Sequence, residues 1–570
     1  MAVDVQRLQT RYEHLRNERS GWDAAYTGLA ELFLPTRYRS DTDESGHRQP
    51  KLNGKLVNST GVLAMRTLAA GMQGGMTSPV RPWFRLTLAK GQEEAGGVHA
   101  WLEEVTEAMR QVLYRSNAYN ALHGLYADLG TFGTGLLVEL ADADGVYFEL
   151  VRAGEYVLDI NAKGEVDTFY RRLHMTARQI VDRWGEGENI PLAVKNAAKP
   201  GQASTARWNV IHAVFPRADW DGTAKIGPAA MPYASVYFMQ DAGANGKPVV
   251  LDEGGFQMFP AFAPRWDVAG SDIYGRSPAM DVTPDCKMLQ AMTATLRKMQ
   301  HKIASPPMVA DAALKKFGVS LDPETLNFVD MGPLGQGGTP VVPIHQPEPA
   351  ALNFTMQGIK DVEQIVRDGL YTDLFRMLID DDRRQITATE IQARQQEKLS
   401  LVGPVVERLI KELLEPLIMR TYQLMADWGA LPPPPDGMEV GELDVTFESV
   451  LAQAQRMTAT SAMDQGLAFL VGAAQAHPEV LDVLDFDEMG RAYLDRIGMP
   501  ENCLREVSEV AKLREQRAQQ QAAAAQQEQA MVQAQQAVDM SAAAKNLGQT
   551  PMGADGQTLM GTLLGGLGSV

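Results

Sequence analysis

The chain should fold as an α+β protein, and three features of its sequence say so. Apolar residues recur at three-and-four spacing in long stretches near the N-terminus and through the centre. Between residues 133 and 262 that spacing gives way to short β-type runs divided by Gly, Asp-Gly and Asn-Gly turns. The 570 residues, 45% of them hydrophobic and 22% charged, suffice for several domains and a large core.

The first element follows from Val5, Leu8, Tyr12, Leu15, Trp22, Tyr26, Leu29 and Phe33, an amphipathic helix stopped by Pro35. A second helix is expected from Ser59 to Gly71, with Gly74, Gly75 and Pro79 turning the chain before Trp83 and Phe84. Val98 to Ala127 reads as more helix. GLLVEL, VYFELV and EYVLDI are then short strands, Thr176 to Trp184 is helical, and strands resume from Trp208 to Phe262. YASVYFMQ and PVVLDEGGFQMF flank Asn245-Gly246, a strong hairpin signal.

Ser277-Pro278 and Thr283-Pro284 each fit a cap followed by proline in the first turn. The stripe Val282, Cys286, Leu289, Leu296, Met299, Ile303 makes a helix that ends before Ser305-Pro306-Pro307. Residues 305–349 are rich in Pro and Gly and read as a small mixed module. Leu352, Met356, Ile359, Val362, Val366, Leu370 and Leu374 form a returning helix. Next comes the charged run Asp380, Asp381, Asp382, Arg383, Arg384, Gln385. A long helix follows to Trp428, with Thr387 and Glu390 at capping-box spacing and kinks expected at Gly403-Pro404 and Pro416. Leu443 to Leu451 reads as a strand, and residues 457–516 as helices. Arg517 to Ala544, built of Gln and Ala, is locally helical without a packing face, and the Gly-rich end beyond it is disordered when alone.

The totals exclude several classes. A formal net charge of −18 argues against a chain-wide basic grip on nucleic acid. Two cysteines, Cys286 and Cys503, give neither a disulfide scaffold nor zinc-ligand spacing. No apolar run is long enough to span a bilayer, and the N-terminus lacks a signal peptide's apolar core, so the cytosol is the expected site of assembly.

Motifs for chemistry are weak. There is no GxxxxGK[ST] and no HExxH, and the nine histidines are dispersed. Gly130 to Gly135 (GTFGTG) lacks dinucleotide spacing and reads as a turn. Asp380 to Asp382 can be drawn as a Mg²⁺ site, which defines a rival reading as a metal-dependent α+β enzyme; a solvated charged loop is the plainer account. Lys298, His301 and Lys302 place positive charge near the end of a helix, where it can meet phosphate or simply complement the helix C-terminus. No cofactor is expected.

The order of elements resembles one known family, the head-to-tail connector or portal proteins of short-tailed bacteriophages. The likeness is carried by RSGWDAAYTGLAELFLP (19–35), GVLAMRTLAAGMQGGMTSPVRPWFRL (61–86), DLGTFGTGLLVEL (128–140) and PRWDVAGSDIYGRSP (264–278). It continues in ITATEIQARQQEKLSLVGPVVERLIKELLEPLI (386–418) and HPEVLDVLDFDEMGRAYLDRIGMP (477–500). The resemblance implies a wing over 1–277, stem helices over 278–304 and 350–378, and a clip over 305–349. It further implies a tunnel loop over 379–386, a long kinked helix over 387–429, a crown over 430–516, and a tail over 517–570 that forms a barrel or stays disordered.

Such a chain would form a homo-oligomeric ring, typically a dodecamer, in the virion at one capsid vertex, assembled in the host cytoplasm. Double-stranded DNA would pass through it. Terminase large subunit, major capsid and scaffolding proteins, and tail adaptor proteins would be partners, without a membrane span. Asp380 to Gln385 would face the channel, and Lys298 and Lys302 would lie near DNA. The resemblance implies no enzyme, the motor ATPase being the terminase's. The tail beyond Gln516 should be dispensable for ring formation, since it offers little apolar area to bury. A membrane-associated or scaffold coiled-coil assembly is a further rival, disfavoured by the strand-rich middle.

Overall fold

The computed structural model describes residues 4–35, 37, 56–88, 98–142, 145–199, 207–218, 220, 227–240, 247–306, 308–310, 341–343, 348–379, 402–434, 443–448, 467, 469–470, 485–496 and 507–549. They belong to two compact units, Met1–Phe469 and Leu470–Val570.

In the first unit, helix α1 (Val5–Phe33) starts where the Asp4 carboxylate accepts from the Gln6 and Arg7 amides. It buries Leu8, Tyr12 and Leu15 at one end and Tyr26, Leu29 and Phe33 at the other. Arg19 lies buried on the same stripe. Its guanidinium stacks over the rings of Tyr26, Tyr156 and Tyr274 and pairs with Asp23.

Helix α2 (Thr60–Met76) runs through Gly71, Gly74 and Gly75, past the point where the sequence suggests a turn. Glycine costs a helix about 1 kcal/mol, but tertiary contact overrides it here. A Cβ on Gly71 would stand 2.3 Å from Phe375, so only glycine admits that ring. Strand β1 (Phe84–Leu88) follows. The helical stretch expected over 98–127 consists of two helices, α3 (Val98–Arg115) and α4 (Ala118–Phe132). Asn117 sits at the break, its side chain accepting from the Phe148 N–H and donating to the Phe148 carbonyl.

Strands β2 (Leu136–Asp142), β3 (Gly145–Val151), β4 (Tyr156–Ile160) and β5 (Val166–Thr176) come next. Helices α5 (Ala177–Trp184) and α6 (Leu192–Ala198) then precede β6 (Arg207–Pro216), β7 (Tyr233–Met239), β8 (Val249–Phe256) and β9 (Ala261–Phe262). Two antiparallel sheets result, ordered β3-β2-β9 and β4-β5-β6-β7-β8. The expected hairpin strands pair as β7 and β8. Its turn, including Asn245-Gly246, lies outside the described residues.

The GTFGTG stretch is a turn with a packing role. Gly133 ends α4 at φ 77°, and a Cβ there would stand 2.2 Å from the Gly275 carbonyl oxygen. Around that contact Thr134 Oγ1 accepts from Gly275 N at 2.7 Å and Ser277 Oγ donates to the Thr131 carbonyl at 2.7 Å. Two glycine-containing segments far apart in sequence therefore meet backbone to backbone.

Beyond this junction, Ser277 caps α7 (Pro278–Asp281) by accepting from the Met280 amide. Thr283 does not cap α8 (Thr283–Ala304); Val282 holds that place, and the Thr283 hydroxyl donates to the Ala279 carbonyl. Strands β10 (Met308–Ala310) and β11 (Val341–Pro343) pair antiparallel, with residues 311–340 outside the described set. The returning helix is broken into α9 (Pro349–Gly369) and α10 (Thr372–Ile379). At the joint, Tyr371 has φ 54°, the sole non-glycine with positive φ among the described residues. The bend lets Phe375 of α10 reach Gly71.

Helix α11 (402–409) passes without interruption through a π-turn, Ile410–Leu414, into α12 (Glu415–Asp427). Pro416 follows the turn, where the widened register relieves the clash of its ring with the preceding backbone. Strand β12 (Leu443–Phe447) pairs antiparallel with β1, from Phe84↔Phe447 to Leu88↔Leu443. The largest core cluster joins α1 to α4, α9, α10 and the 402–425 helix.

In the second unit, α13 (Phe486–Arg496) and α14 (Val507–Gln549) are tied by an Arg514–Asp487 ion pair. Helix α14 has 43 residues, roughly 65 Å at 1.5 Å per residue. Val510 and Leu513 are partly buried, and its described side chains from Arg514 onward are exposed.

Candidate functional site

The most distinctive surface of the first unit is the antiparallel pair α8–α9. Leu289, Met292 and Leu296 of α8 meet Ile359 and Val362 of α9 in their own small core. The segment before α2 is tied to both helices. Gln290 Oε1 accepts from the Val57 and Asn58 amides at 2.9 Å each, and Asn58 Nδ2 donates to Glu363 Oε1 at 3.0 Å. The pair is thus tied to the segment before α2 through Gln290 and Glu363.

The pair also carries positive charge. Arg297, Lys298, His301 and Lys302 are all exposed on the C-terminal half of α8. His301 and Lys302 belong to its last turn and complement the helix dipole there. Lys298 stands before that turn, where the dipole falls off, so capping does not account for it. The charged run Asp380, Asp381, Asp382, Arg383, Arg384 and Gln385 lies outside the described residues, as does the Thr387–Glu390 capping box.

The long helix is clamped to the strands by two arginine–carboxyl contacts. Glu412, presented by the π-turn, accepts from Arg265 Nη2 at 2.6 Å and from its backbone N–H at 2.9 Å. One strand further in, Glu139 and Arg420 face each other with Nε and Oε2 3.6 Å apart. Arg420 Nη1 donates to the Met258 carbonyl at 2.9 Å, and Thr421 Oγ1 lies 2.8 Å from Glu139 Oε1. Burial raises the Glu139 carboxyl to about 7 against the opposing pull of Arg420 and Thr421. Burial likewise lowers the Arg420 guanidinium, against Glu139 and Asp427.

One contact looks like acid–base machinery and is not. His212 Nε2 lies 3.0 Å from Ser235 Oγ in the five-stranded sheet. Arg171 Nε donates to His212 Nδ1 at 2.9 Å, so the neutral ring carries its proton on Nε2 and donates to Ser235. Burial and the neighbouring Arg171 and Arg183 hold this histidine well below its usual range. It cannot accept the serine proton, and it serves the sheet by stacking on Tyr237 at 4.0 Å. A cleft of about 600 Å³ mixes Arg152, Arg172, Arg183 and Arg207 with Glu149, Glu155 and Asp182. Among the described residues no group of three or more His, Cys, Asp or Glu is placed to hold a metal. Nor is any described helix long and apolar enough to cross a membrane.

Arg265, Glu412, Glu139, Arg420 and the Gly133–Gly275 contact were not apparent from spacing. Their only sequence trace is that Gly133, Glu139, Arg265, Gly275 and Glu412 fall in the stretches that carry the family likeness.

The family model described as bacteriophage head to tail connecting protein matches residues 5–504. The chain is 38% identical to a probable portal protein of Bordetella phage BPP-1 over 532 residues, 92% of this chain and 93% of that relative. It is 35% identical to a portal protein of Salmonella phage epsilon15 over 543 residues, 95% and 96% of the two chains. A chain from the virion of a native gene transfer agent particle aligns with a TM-score of 0.32 and 12% identity, covering 73% of this chain and 86% of that one, a likeness too slight to carry an argument. This chain belongs to the family of bacteriophage head to tail connecting proteins. Its role within that family is that of a phage portal, a component of the virion.

Proposed function

We propose that this chain assembles into a closed ring, a dodecamer, at one capsid vertex, and that double-stranded viral DNA is packaged and ejected through its central channel. The observation that carries the reading is near full-length relatedness to two phage portal proteins. In this reading residues 1–277 act as the wing, 278–304 and 350–378 as the stem helices, and 305–349 as the clip. Terminase large subunit docks at that clip and tail adaptor proteins replace it later. Major capsid and scaffolding proteins surround the wing during assembly in the host cytoplasm. A conduit must surround DNA without holding it, and a net charge of −18 limits the counterion release that would fix phosphate to the wall.

Purified protein at high concentration should appear in electron micrographs as a ring with a central hole and should not hydrolyse ATP. Monomer alone at that concentration, or robust ATPase activity, would overturn the reading.

Asp380 to Gln385 project into the channel as the tunnel loop, where Arg383 and Arg384 touch phosphate briefly. Lys298 and Lys302 lie near DNA on the stem. Replacing Arg383 and Arg384 with alanine should leave rings intact and change the packaging rate or the retention of packaged DNA. Unchanged rate and retention would mean that these arginines pair with Asp380 to Asp382 instead.

A further inference from the structure

The bend between α9 and α10 is held at a cost, and two adjacent residues carry it. Tyr371 stands at φ 54°, a left-handed conformation unfavourable to any residue with a Cβ. Thr372 is 1% exposed, and its hydroxyl has no hydrogen-bond partner among the described residues. The sequence does not demand the bend. Ile359, Val362, Val366, Leu370 and Leu374 keep helical spacing through it, and no proline lies between Ala350 and Ile379. Gly369 is explained by packing, since a Cβ there would stand 2.2 Å from Val282. A continuous helix removes both costs together. Tyr371 returns to right-handed geometry, and the Thr372 hydroxyl can donate to the Asp368 carbonyl one turn back.

What holds the bend is tertiary contact. Leu374 and Phe375 are both buried, and the Phe375 side chain occupies the space that a Cβ on Gly71 of α2 would fill. The Tyr371 ring lies 6.1 Å from that of Trp266. Gln364 Nε2 donates to Asp373 Oδ2 at 3.2 Å, although nine residues along a straight helix span roughly 13 Å. Every one of these contacts except those of Leu374 is specific to the bent form.

We infer that α10 is a strained latch. It is closed while Phe375 sits on Gly71, and it opens by straightening at Tyr371 into one helix with α9. Opening lengthens α9 by ten residues, roughly 15 Å, and lifts α10 off α2. Residues 380–385 follow directly on α10, so the state of the latch sets where that charged run begins. The device belongs to a single chain and does not depend on the ring reading.

The test uses full-length protein with nitroxide labels at Lys360→Cys and Arg376→Cys, both exposed positions. A Cys503→Ser background leaves only the buried Cys286 as a further thiol. Labelled chain is diluted into unlabelled chain, so that distances are read within one subunit. A continuous helix places the two positions roughly 24 Å apart, and the bend holds them closer. Gly71→Ala, which evicts Phe375, and Phe375→Ala, which removes its ring, should each move the distribution to a single peak at the longer distance. Adding Tyr371→Gly should raise the bent share relative to the straight one by roughly tenfold or more, because glycine takes φ 54° freely and disfavours helix. If Gly71→Ala fails to fold, Phe375→Ala decides alone. Retention of the short distance in Phe375→Ala, a broad spread without the longer peak, or a ratio indifferent to Tyr371→Gly would overturn the inference.

Discussion

Gly133→Ala is expected to be among the most damaging single substitutions in the chain, lowering stability by about 2–5 kcal/mol. The left-handed backbone at φ 77° contributes roughly 1–2 kcal/mol of that for a residue with a Cβ. The rest, about 1–3 kcal/mol, is overpacking. A methyl group would stand 2.2 Å from the Gly275 carbonyl oxygen, and backbone cannot step aside as a side chain can. Separating the two segments would also strain the hydrogen bonds from Gly275 N to Thr134 and from Ser277 to Thr131. Gly74→Ala is the matched control. Gly74 is exposed within α2 with nothing within 4 Å of its Cβ position, so alanine there should stabilise by roughly 0.5–1 kcal/mol. Urea unfolding of the three proteins at one concentration checks this; equal midpoints for Gly133→Ala and wild type would mean the junction is looser than its geometry says.

The second large effect concerns acidity. Thr421 has one hydroxyl proton and two acceptors, the Leu417 carbonyl at 2.8 Å and Glu139 Oε1 at 2.8 Å. A protonated Glu139 resolves the conflict by donating to Thr421, while Thr421 donates to Leu417. Its carboxyl is raised by burial from 4.5 to about 7. A group raised in the folded state stabilises it fully below the unfolded pKa, and that contribution is lost as pH climbs through the folded value. Roughly 3 kcal/mol should therefore be lost between pH 4.5 and the region above 7, since each unit is worth about 1.4 kcal/mol. Glu139→Gln keeps a neutral donor in the same place. It should match wild type near pH 4.5 and exceed it at pH 8. Unfolding midpoints that run parallel across this range would show that Glu139 stays ionised beside Arg420.

Periodicity made α1, α8 and the described part of the long helix, residues 402–427, legible, because a burial face needs only local spacing to announce itself. Ser277-Pro278 was legible for a similar reason, since a cap and its proline act within one turn. The breaks were not. Gly71 and Gly75 look like a helix end until Phe375, 304 residues beyond Gly71, is seen against the helix. The stripe from Leu352 to Leu374 keeps its spacing across Gly369, so periodicity hid the break at which α9 ends and Tyr371 leaves helical geometry. Of the candidate site, the basic end of α8 could be read from Lys298 to Lys302. The clamps on the long helix could not, because Arg265 and Glu412 are 147 residues apart and Glu139 and Arg420 are 281 apart. No local pattern marks an ion pair whose members meet only after folding.

The pairing of β1 with β12 has a consequence for the order in which the chain can fold during synthesis. Phe84 is on the ribosome's outer side long before its partner Phe447 has been made. At 5–20 residues per second the wait is roughly 20–70 s. Through that interval the β1 edge, together with the Gly71 surface that awaits Phe375, has no native cover. The N-terminal half is therefore not a domain that can finish by itself and detach from the translation timetable. Joining of subunits must wait for nearly complete chains, and nascent chains that are crowded on one message are open to pairing the wrong edges.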